Sequence, residues 1–368
     1  MRKLFKNAHL WFSLPLGIVI TITCFSGAML IFEKEITQIV QRDYYYTHSV
    51  ASEPLPIADI LAKVEPMLDE GRRITGVTIS DDPERTYKIN INTPKHSAIF
   101  VDQYSGEVLG EPGRLGFFKT MFRLHRWLMD SKPEDGAIYW GKVIVGISTL
   151  LMVIIIITGV VLWWPKGIKG LKNRSKIEIR KGWNRFWLDL HIVGGVYATL
   201  LLLAMALTGL TWSFQWYSKS FYSLLGVETK VNTTSNNATK KRESSGDNTQ
   251  RYIHWQNAID SVQESCNEYS EMTVSDGAVT VKSEGWGNQR ASDKYSFDNH
   301  TGEITDITLY ADSDYNRKVR GWVYTIHVGN WGGYLSRVMW FLAAMLGASL
   351  PLTGYYMWLR RMFKKLNR

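Results

Sequence analysis

Four histidines in this chain are placed to do chemistry: His9, His125, His191 and His327. Each stands at the edge of an apolar run long enough to cross a bilayer. A neutral imidazole keeps one ring nitrogen free to ligate a metal, and paired imidazoles are axial ligands of b-type haem. The four come in the same order twice. His9 and His191 each precede a Ser/Thr-Gly pair, Ser26-Gly27 and Thr208-Gly209, by 18 residues to the glycine. His125 and His327 each precede a second run that ends in Thr-Gly, at Thr158-Gly159 and Thr353-Gly354.

One histidine at a membrane edge is an ordinary interfacial polar residue. Four at matching places are harder to explain that way, because ionisable groups near hydrocarbon are costly and tend to be functional. His9 and His191 fall on one side of the membrane, His125 and His327 on the other. Each pair would clasp one haem iron between two different helices, giving two haems b, one per leaflet. Zinc competes poorly, since two pairs at opposite faces cannot form one tetrahedral site. Arg123, Arg126 and Arg337 on one side and Arg185 on the other are candidates for holding haem propionates; membrane anchoring explains each equally well. Gly17, Gly194, Gly195, Gly332 and Gly333 would let backbone approach a flat cofactor. Trp11, Trp127, Trp187 and Trp331 could line it, or form the usual interfacial aromatic belt.

The elements that position these residues are four apolar runs, about 10–32, 143–164, 192–214 and 338–359, each close to the roughly 20 residues a bilayer needs. Lys and Arg gather in the N-terminal tail, in the link 166–185 and in the C-terminal tail, whereas the rest of the chain is net acidic although the whole is +9. Basic segments stay in the cytoplasm, so both termini are expected inside. The positive charge reflects topology and anionic membrane lipid, not nucleic acid. The first run resembles a signal peptide but is too long for one and reads as a retained span. Cys24 and Cys266 lie in different environments and imply no disulfide.

The expected organisation is a span in 1–32, an external α+β unit in 33–118, an interfacial helix and span in 119–165, a basic loop in 166–185, a span in 186–216, a second external unit in 217–322 and a last span with basic tail in 323–368. Within the second unit, 229–250 is polar and expected to be flexible. Helical spacing at Ile57, Ile60, Leu61, Val64 and Leu68, and alternating runs at 75–80, 86–92 and 98–102, define the first unit. The second reads as a helix over 253–269 with strands near 272–274, 278–283 and 294–298. Both units close on one turn, Asp102-Gln-Tyr-Ser-Gly-Glu107 and Asp298-Asn-His-Thr-Gly-Glu303, where glycine supplies positive φ and Asp and Ser/Thr bond the local backbone. The repetition divides the chain into halves, about 1–170 and 183–368, expected to be parallel copies about an axis along the membrane normal. His48, His96, His254 and His300 read as surface residues. Gly136 to Lys142 mimics a phosphate loop, but Val143 stands where Ser or Thr is needed.

These residues resemble a family. Asn7-Ala-His9 with Ser26-Gly27, Leu124-His125-Arg126, Thr158-Gly159 through Trp164-Pro165, Asp189-Leu-His191 with Thr208-Gly209, and His327 with Thr353-Gly354 are similar to the PepSY-associated transmembrane proteins of the bacterial inner membrane. The turns at Gly106 and Gly302 resemble PepSY units. The resemblance implies a four-helix transmembrane bundle built from two tandem parallel repeats, with two extracytoplasmic PepSY-like units. Similarity to di-haem ferric-siderophore reductases implies electron transfer to an external ferric chelate, with quinol or a separate cytoplasmic reductase as donor. The alternative is a non-enzymatic, membrane-anchored protein whose PepSY units act on an extracytoplasmic peptidase.

Overall fold

A computed structural model describes residues 1–93, 97–134, 136–165, 176–227, 248–266, 268–283 and 287–367. In chain order its main helices are α1 (Arg2–Leu30), α2 (Glu33–Val40), α3 (Ile57–Val64), α4 (Gly116–Trp127), α5 (Trp140–Trp163), α6 (Trp183–Ser213), α7 (Gln215–Leu224), α8 (Asn248–Ser265), α9 (Tyr315–Val328) and α10 (Gly333–Leu366). The strands are β1 (Ile74–Ser80), β2 (Tyr87–Ile91), β3 (Ala98–Val101), β4 (Val108–Gly110), β5 (Glu271–Ser275), β6 (Ala278–Lys282), β7 (Asp293–Phe297) and β8 (Ile304–Thr308). They form two compact units. One comprises Met1–Glu33, Leu115–Thr229 and Trp322–Arg368; the other comprises Lys34–Arg114 and Lys230–Gly321.

The first unit holds α1, α5, α6 and α10, the four helices long and apolar enough to cross a membrane. At most 33% of the apolar window of any of them is buried by protein. Ile18, Ile157, Leu200 and Leu342 remain exposed. A helix apolar all round and this little covered needs lipid as its solvent. Between the helices, small residues permit close approach. A Cβ on Gly17 would fall 2.5 Å from the Tyr355 hydroxyl, and one on Gly347 would fall 2.7 Å from Leu202. The Thr21 hydroxyl donates to the Ala348 carbonyl at 3.0 Å, a polar tie between α1 and α10.

The second unit is one antiparallel sheet in the order β4-β3-β2-β1-β5-β6-β7-β8. Here the sequence expectation of two separate units is corrected: strands from 33–118 and from 217–322 share one sheet. The join is β1 on β5, with Val77 opposite Val274 and Thr78 opposite Thr273. Pairing these strands removes two edges that would otherwise expose unsatisfied N–H and C=O groups. The core is also single. Ile57, Ile60, Leu61 and Val64 bury one face of α3, and Tyr252, Trp255, Ala258, Ile259 and Val262 bury one face of α8. Gln256 on α8 accepts the Ile57 N–H at 2.7 Å and so caps α3.

The two expected turns connect β3 to β4 and β7 to β8. Gly106 and Gly302 have φ of 71° and 80°. Their N–H groups donate to the carbonyls of Asp102 and Asp298 at 2.9 and 2.8 Å. At Gly302 the glycine is obligatory for a second reason: a Cβ there would meet the His254 carbonyl oxygen at 2.8 Å. Boundaries shift elsewhere. Helix α7 belongs with the membrane helices rather than with the unit expected over 217–322. Of the polar segment 229–250, residues 229–247 lie outside the described residues, while 248–250 begin α8 rather than joining a loop. His96 and the first half of the basic loop, 166–175, also lie outside the described residues.

Candidate functional site: two pairs of facing imidazoles

The four histidines come together as two pairs within the helical unit. The rings of His9 and His191 have centroids 6.3 Å apart with planes at 84°. Those of His125 and His327 are 6.0 Å apart at 48°. An imidazole–metal bond of about 2 Å and about 1.1 Å from ring centre to nitrogen place two trans imidazoles about 6.2 Å apart, centre to centre. Both pairs therefore have the spacing of two axial ligands on one metal ion.

Local structure explains how each ring is presented. His9 lies two turns inside α1. His191 lies in a π-helical turn, Leu190–Gly194, within α6; such turns interrupt α-helices chiefly at functional positions. His125 stands near the end of α4, which stops on two left-handed residues, Leu128 and Met129. Leu128 N–H donates to Leu124 and Met129 N–H to Arg123, both at 3.2 Å, closing the helix. Asp130 then accepts the Gly141 N–H at 2.8 Å and caps α5. His327 ends α9 in a similar way: Gly329 has φ of 74°. Ser336 caps α10 by accepting the Gly332 N–H at 2.9 Å.

The second nitrogen of every ring is engaged. His9 Nδ1 lies 3.1 Å from both the Ile155 carbonyl and the Thr158 hydroxyl. His191 Nδ1 lies 3.0 Å from the Leu350 carbonyl and 2.9 Å from the Thr353 hydroxyl. His327 Nδ1 lies 3.0 Å from the Met205 carbonyl and 3.2 Å from the Thr208 hydroxyl. His125 Nδ1 lies 2.8 Å from the Thr23 carbonyl. A carbonyl can only accept, so Nδ1 carries the proton and Nε2 keeps its lone pair. This is how protein metal sites fix the tautomer and orientation of a histidine ligand.

The acceptors share one address. Each carbonyl belongs to the residue three before the Ser or Thr of a Ser/Thr-Gly pair. The glycine that follows leaves room for the ring. A Cβ on Gly27, Gly209, Gly159 or Gly354 would stand 2.7, 3.0, 3.3 or 3.4 Å from Cε1 of His125, His327, His9 or His191. The four dipeptides thus serve as seats for the four rings. At the His125 seat the Ser26 hydroxyl donates back to Ile22 at 2.6 Å and to Thr23 at 3.2 Å, and among the described contacts His125 Nδ1 meets the Thr23 carbonyl without a hydroxyl partner.

The pairs sit at two depths. On α1, His9 and Thr23, the seat of His125, are fourteen residues apart, as are His191 and Met205 on α6. Fourteen residues rise about 21 Å and return to nearly the same helix face.

The other expected site residues are more mixed. Arg126 lies over the rings of Phe122 and Trp127, at 5.3 and 5.0 Å. Arg123 donates to the Met129 carbonyl at 2.7 Å. Arg337 donates to the Ile31 carbonyl and lies 5.0 Å over Phe32. Arg185 pairs with the buried Asp189 at 2.8 Å, and that carboxylate also accepts the Glu178 N–H. The glycines expected to flank a cofactor have varied surroundings. Gly17 packs on Tyr355, Gly194 and Gly195 touch Leu346 and Leu350, and space beside Gly333 is open. Of the expected tryptophans, Trp127 stacks on Tyr139, Trp187 on Trp183, Trp331 meets Trp340 and Trp11 is 70% exposed. A tryptophan that was not expected, Trp212, has its ring 5.1 Å from that of His327. It lies one helical turn past Thr208, a spacing that could have pointed to it.

Among the described residues no three or more His, Cys, Asp or Glu gather as a metal cluster, so the donor sets present are pairs of neutral imidazoles. Such a pair suits an ion whose remaining positions come from a macrocycle.

The family model described as PepSY-associated TM region matches residues 7–361. A comparison with curated proteins finds no match. With four bilayer-length helices and a match to a transmembrane family over nearly its whole length, the chain is a membrane protein.

Proposed function

This chain belongs to the PepSY-associated transmembrane family, and from that membership and its two imidazole pairs we propose that it is a di-haem b-type oxidoreductase. It would carry electrons across the bacterial inner membrane to an external ferric chelate, in the manner of a ferric-siderophore reductase. The observation that carries the reading is the geometry of the pairs: ring centres 6.3 and 6.0 Å apart, with Nδ1 of all four rings against a backbone carbonyl, so that His9 with His191 and His125 with His327 would each be able to hold a haem iron. His9 and His191 would hold one haem, His125 and His327 the other. Bound haem supplies one-electron chemistry between ferrous and ferric iron.

The chain's own residues do the rest. The four seats orient the rings and keep Nε2 unprotonated. Two depths about 21 Å apart along α1 divide a hydrocarbon core of about 30 Å, which is too wide for one useful transfer. Arg126, Arg123, Arg337 and Arg185 remain the candidate partners of the propionates. The tandem-repeat reading is supported by the matched seats: Thr158 and Thr353 serve His9 and His191, and Met205 does for His327 what Thr23 does for His125. The basic segments argue for cytoplasmic termini, and so for a donor, quinol or reductase, at the His9 end.

The test is a redox difference spectrum of purified protein expressed with haem supplied. Two b-type haems per chain, reoxidised by a ferric chelate, are expected. Colourless protein refutes the proposal.

A further inference from the structure

The sheet of the second unit has two unlike faces. Ile89, Val77, Val274, Val279 and Val281 point into the core beneath α3 and α8. On the opposite face stand the alternate residues, Lys88, Thr78, Thr273, Thr280, Glu271 and Lys282, as the pleat requires. At the β1–β5 seam the Thr78 and Thr273 hydroxyls bond at 2.9 Å, and Asn90 donates to Thr78 at 3.1 Å. This unit contains more Asp and Glu than Lys and Arg, yet at this place the balance is reversed.

Two ammonium groups pair with one carboxylate there, and a third, Lys88, lies on the same face within reach of their charges. Lys34 Nζ lies 3.6 Å from one oxygen of Glu271 and Lys282 Nζ lies 3.7 Å from the other. Among the described residues the charges that reach the Lys88 ammonium are those of Glu271, Lys282 and Lys34. Burial first, and then the two other ammoniums against the pull of Glu271, hold Lys88 below the usual lysine range. Glu271 carries one negative charge beside three ammonium groups, so like-charge repulsion among the lysines is only partly offset by it. An anion seated beside the three lysines would relieve it. A solvated charged surface has no need to gather like charges from a helix and two separate strands, nor to set hydroxyls beside them.

We propose that Lys34, Lys88 and Lys282 form a seat for a polyanionic ligand. Resting on the electron-transfer reading above, this assigns the external ferric chelate to the carboxylate- or catecholate-bearing, negatively charged class. Uncharged tris-hydroxamate complexes fall outside it. Glu271 then acts as a spacer: it holds Lys34 and Lys282 in place while weakening the field that the ligand feels.

The experiment is equilibrium dialysis of the full-length oxidised protein in detergent against ferric citrate, with a neutral ferric tris-hydroxamate as control. Lys88→Gln and Lys282→Gln should each weaken ferric citrate binding by about two- to fivefold, in keeping with the worth of a partly exposed charge pair. Glu271→Gln should strengthen it. Added salt should weaken it, because exposed charges are screened. Equal affinity across the wild type and all three variants, or tighter binding of the neutral complex, overturns the proposal. Lys88 and Lys282 are exposed and Glu271 partly so, so each of the three variants carries the test if another fails to fold. Binding is read without electron transfer. Absence of haem would therefore sink the oxidoreductase reading and leave the anion seat to be judged by its own result.

Discussion

The Thr353 hydroxyl lies 2.9 Å from His191 Nδ1, while the same hydroxyl donates to its own helix at the Leu350 carbonyl, also at 2.9 Å. The threonine is thus an acceptor towards the ring, and the ring nitrogen must be the donor. Thr158 and Thr208 repeat the relationship with His9 and His327.

Removing a ligand should remove one haem and spare the other. His125→Ala and His327→Ala are each expected to leave one haem per chain, held by His9 and His191. Haem content by pyridine haemochrome against protein mass checks this. Loss of both haems, or of neither, would contradict the pairing.

The glycine seats make a graded prediction. Gly27→Ala puts a Cβ 2.7 Å from His125 Cε1, a contact that must displace the ring, whereas Gly354→Ala puts one at 3.4 Å from His191, an ordinary contact. Gly27→Ala should therefore lose the haem of the His125 pair with the other retained. Gly354→Ala should retain both. Low-temperature spectra of the two variants, with haem quantified, decide it.

Hydroxyl removal should separate Thr353 from Ser26. Thr353→Val deletes an acceptor of His191 Nδ1–H, so the ring loses one of two fixed partners and the ligand becomes less basic. The midpoint potential and the low-spin ferric EPR signal of that haem should both move. Ser26→Ala deletes a hydroxyl that bonds only its own helix, and both signals should stay at the wild-type position.

Asp102 links pH to stability in the sheet unit. Burial would raise its carboxyl, but the Thr47 hydroxyl and the N–H groups of Ser105, Tyr104 and His48 outweigh that and hold it below the usual carboxylate range. A depressed carboxylate stabilises the fold above the unfolded pKa of about 4 and loses that contribution as pH falls through the lower folded value. Asp102→Asn should cost about 1–3 kcal/mol near neutrality, and the gap between variant and wild type should narrow on acidification. Thermal unfolding followed by circular dichroism across that range measures it. A gap independent of pH would show the carboxylate charge to be irrelevant.

The sequence was most informative where its signals are local. Apolar runs, basic flanks and the Asp-x-x-Ser/Thr-Gly-Glu turn each depend on neighbouring residues, and helices and turns stand close to where they were expected. The four histidines could be singled out because they recur at matching places. Their seats could not. Ser26-Gly27 and its three counterparts read only as markers of repetition, since which carbonyl a ring meets depends on how α1 packs on α5 and α6 on α10. Trp212 escaped notice for the same reason. The union of segments 33–118 and 217–322 in one sheet was hidden as well, because β1 and β5 are brought together from almost two hundred residues apart. The basic loop remains a reading of sequence alone over 166–175.

Each ring is seated by a helix from its own part of the chain, yet it faces a ring from the other part. His9 and His125 rest on Thr158 and Thr23, all before residue 170, whereas His191 and His327 rest on Leu350 and Met205, all after 183. A single such segment would already contain two finished half-clasps, lacking only an opposite number. Parting the two segments would therefore open both clasps together while leaving all four rings on their seats.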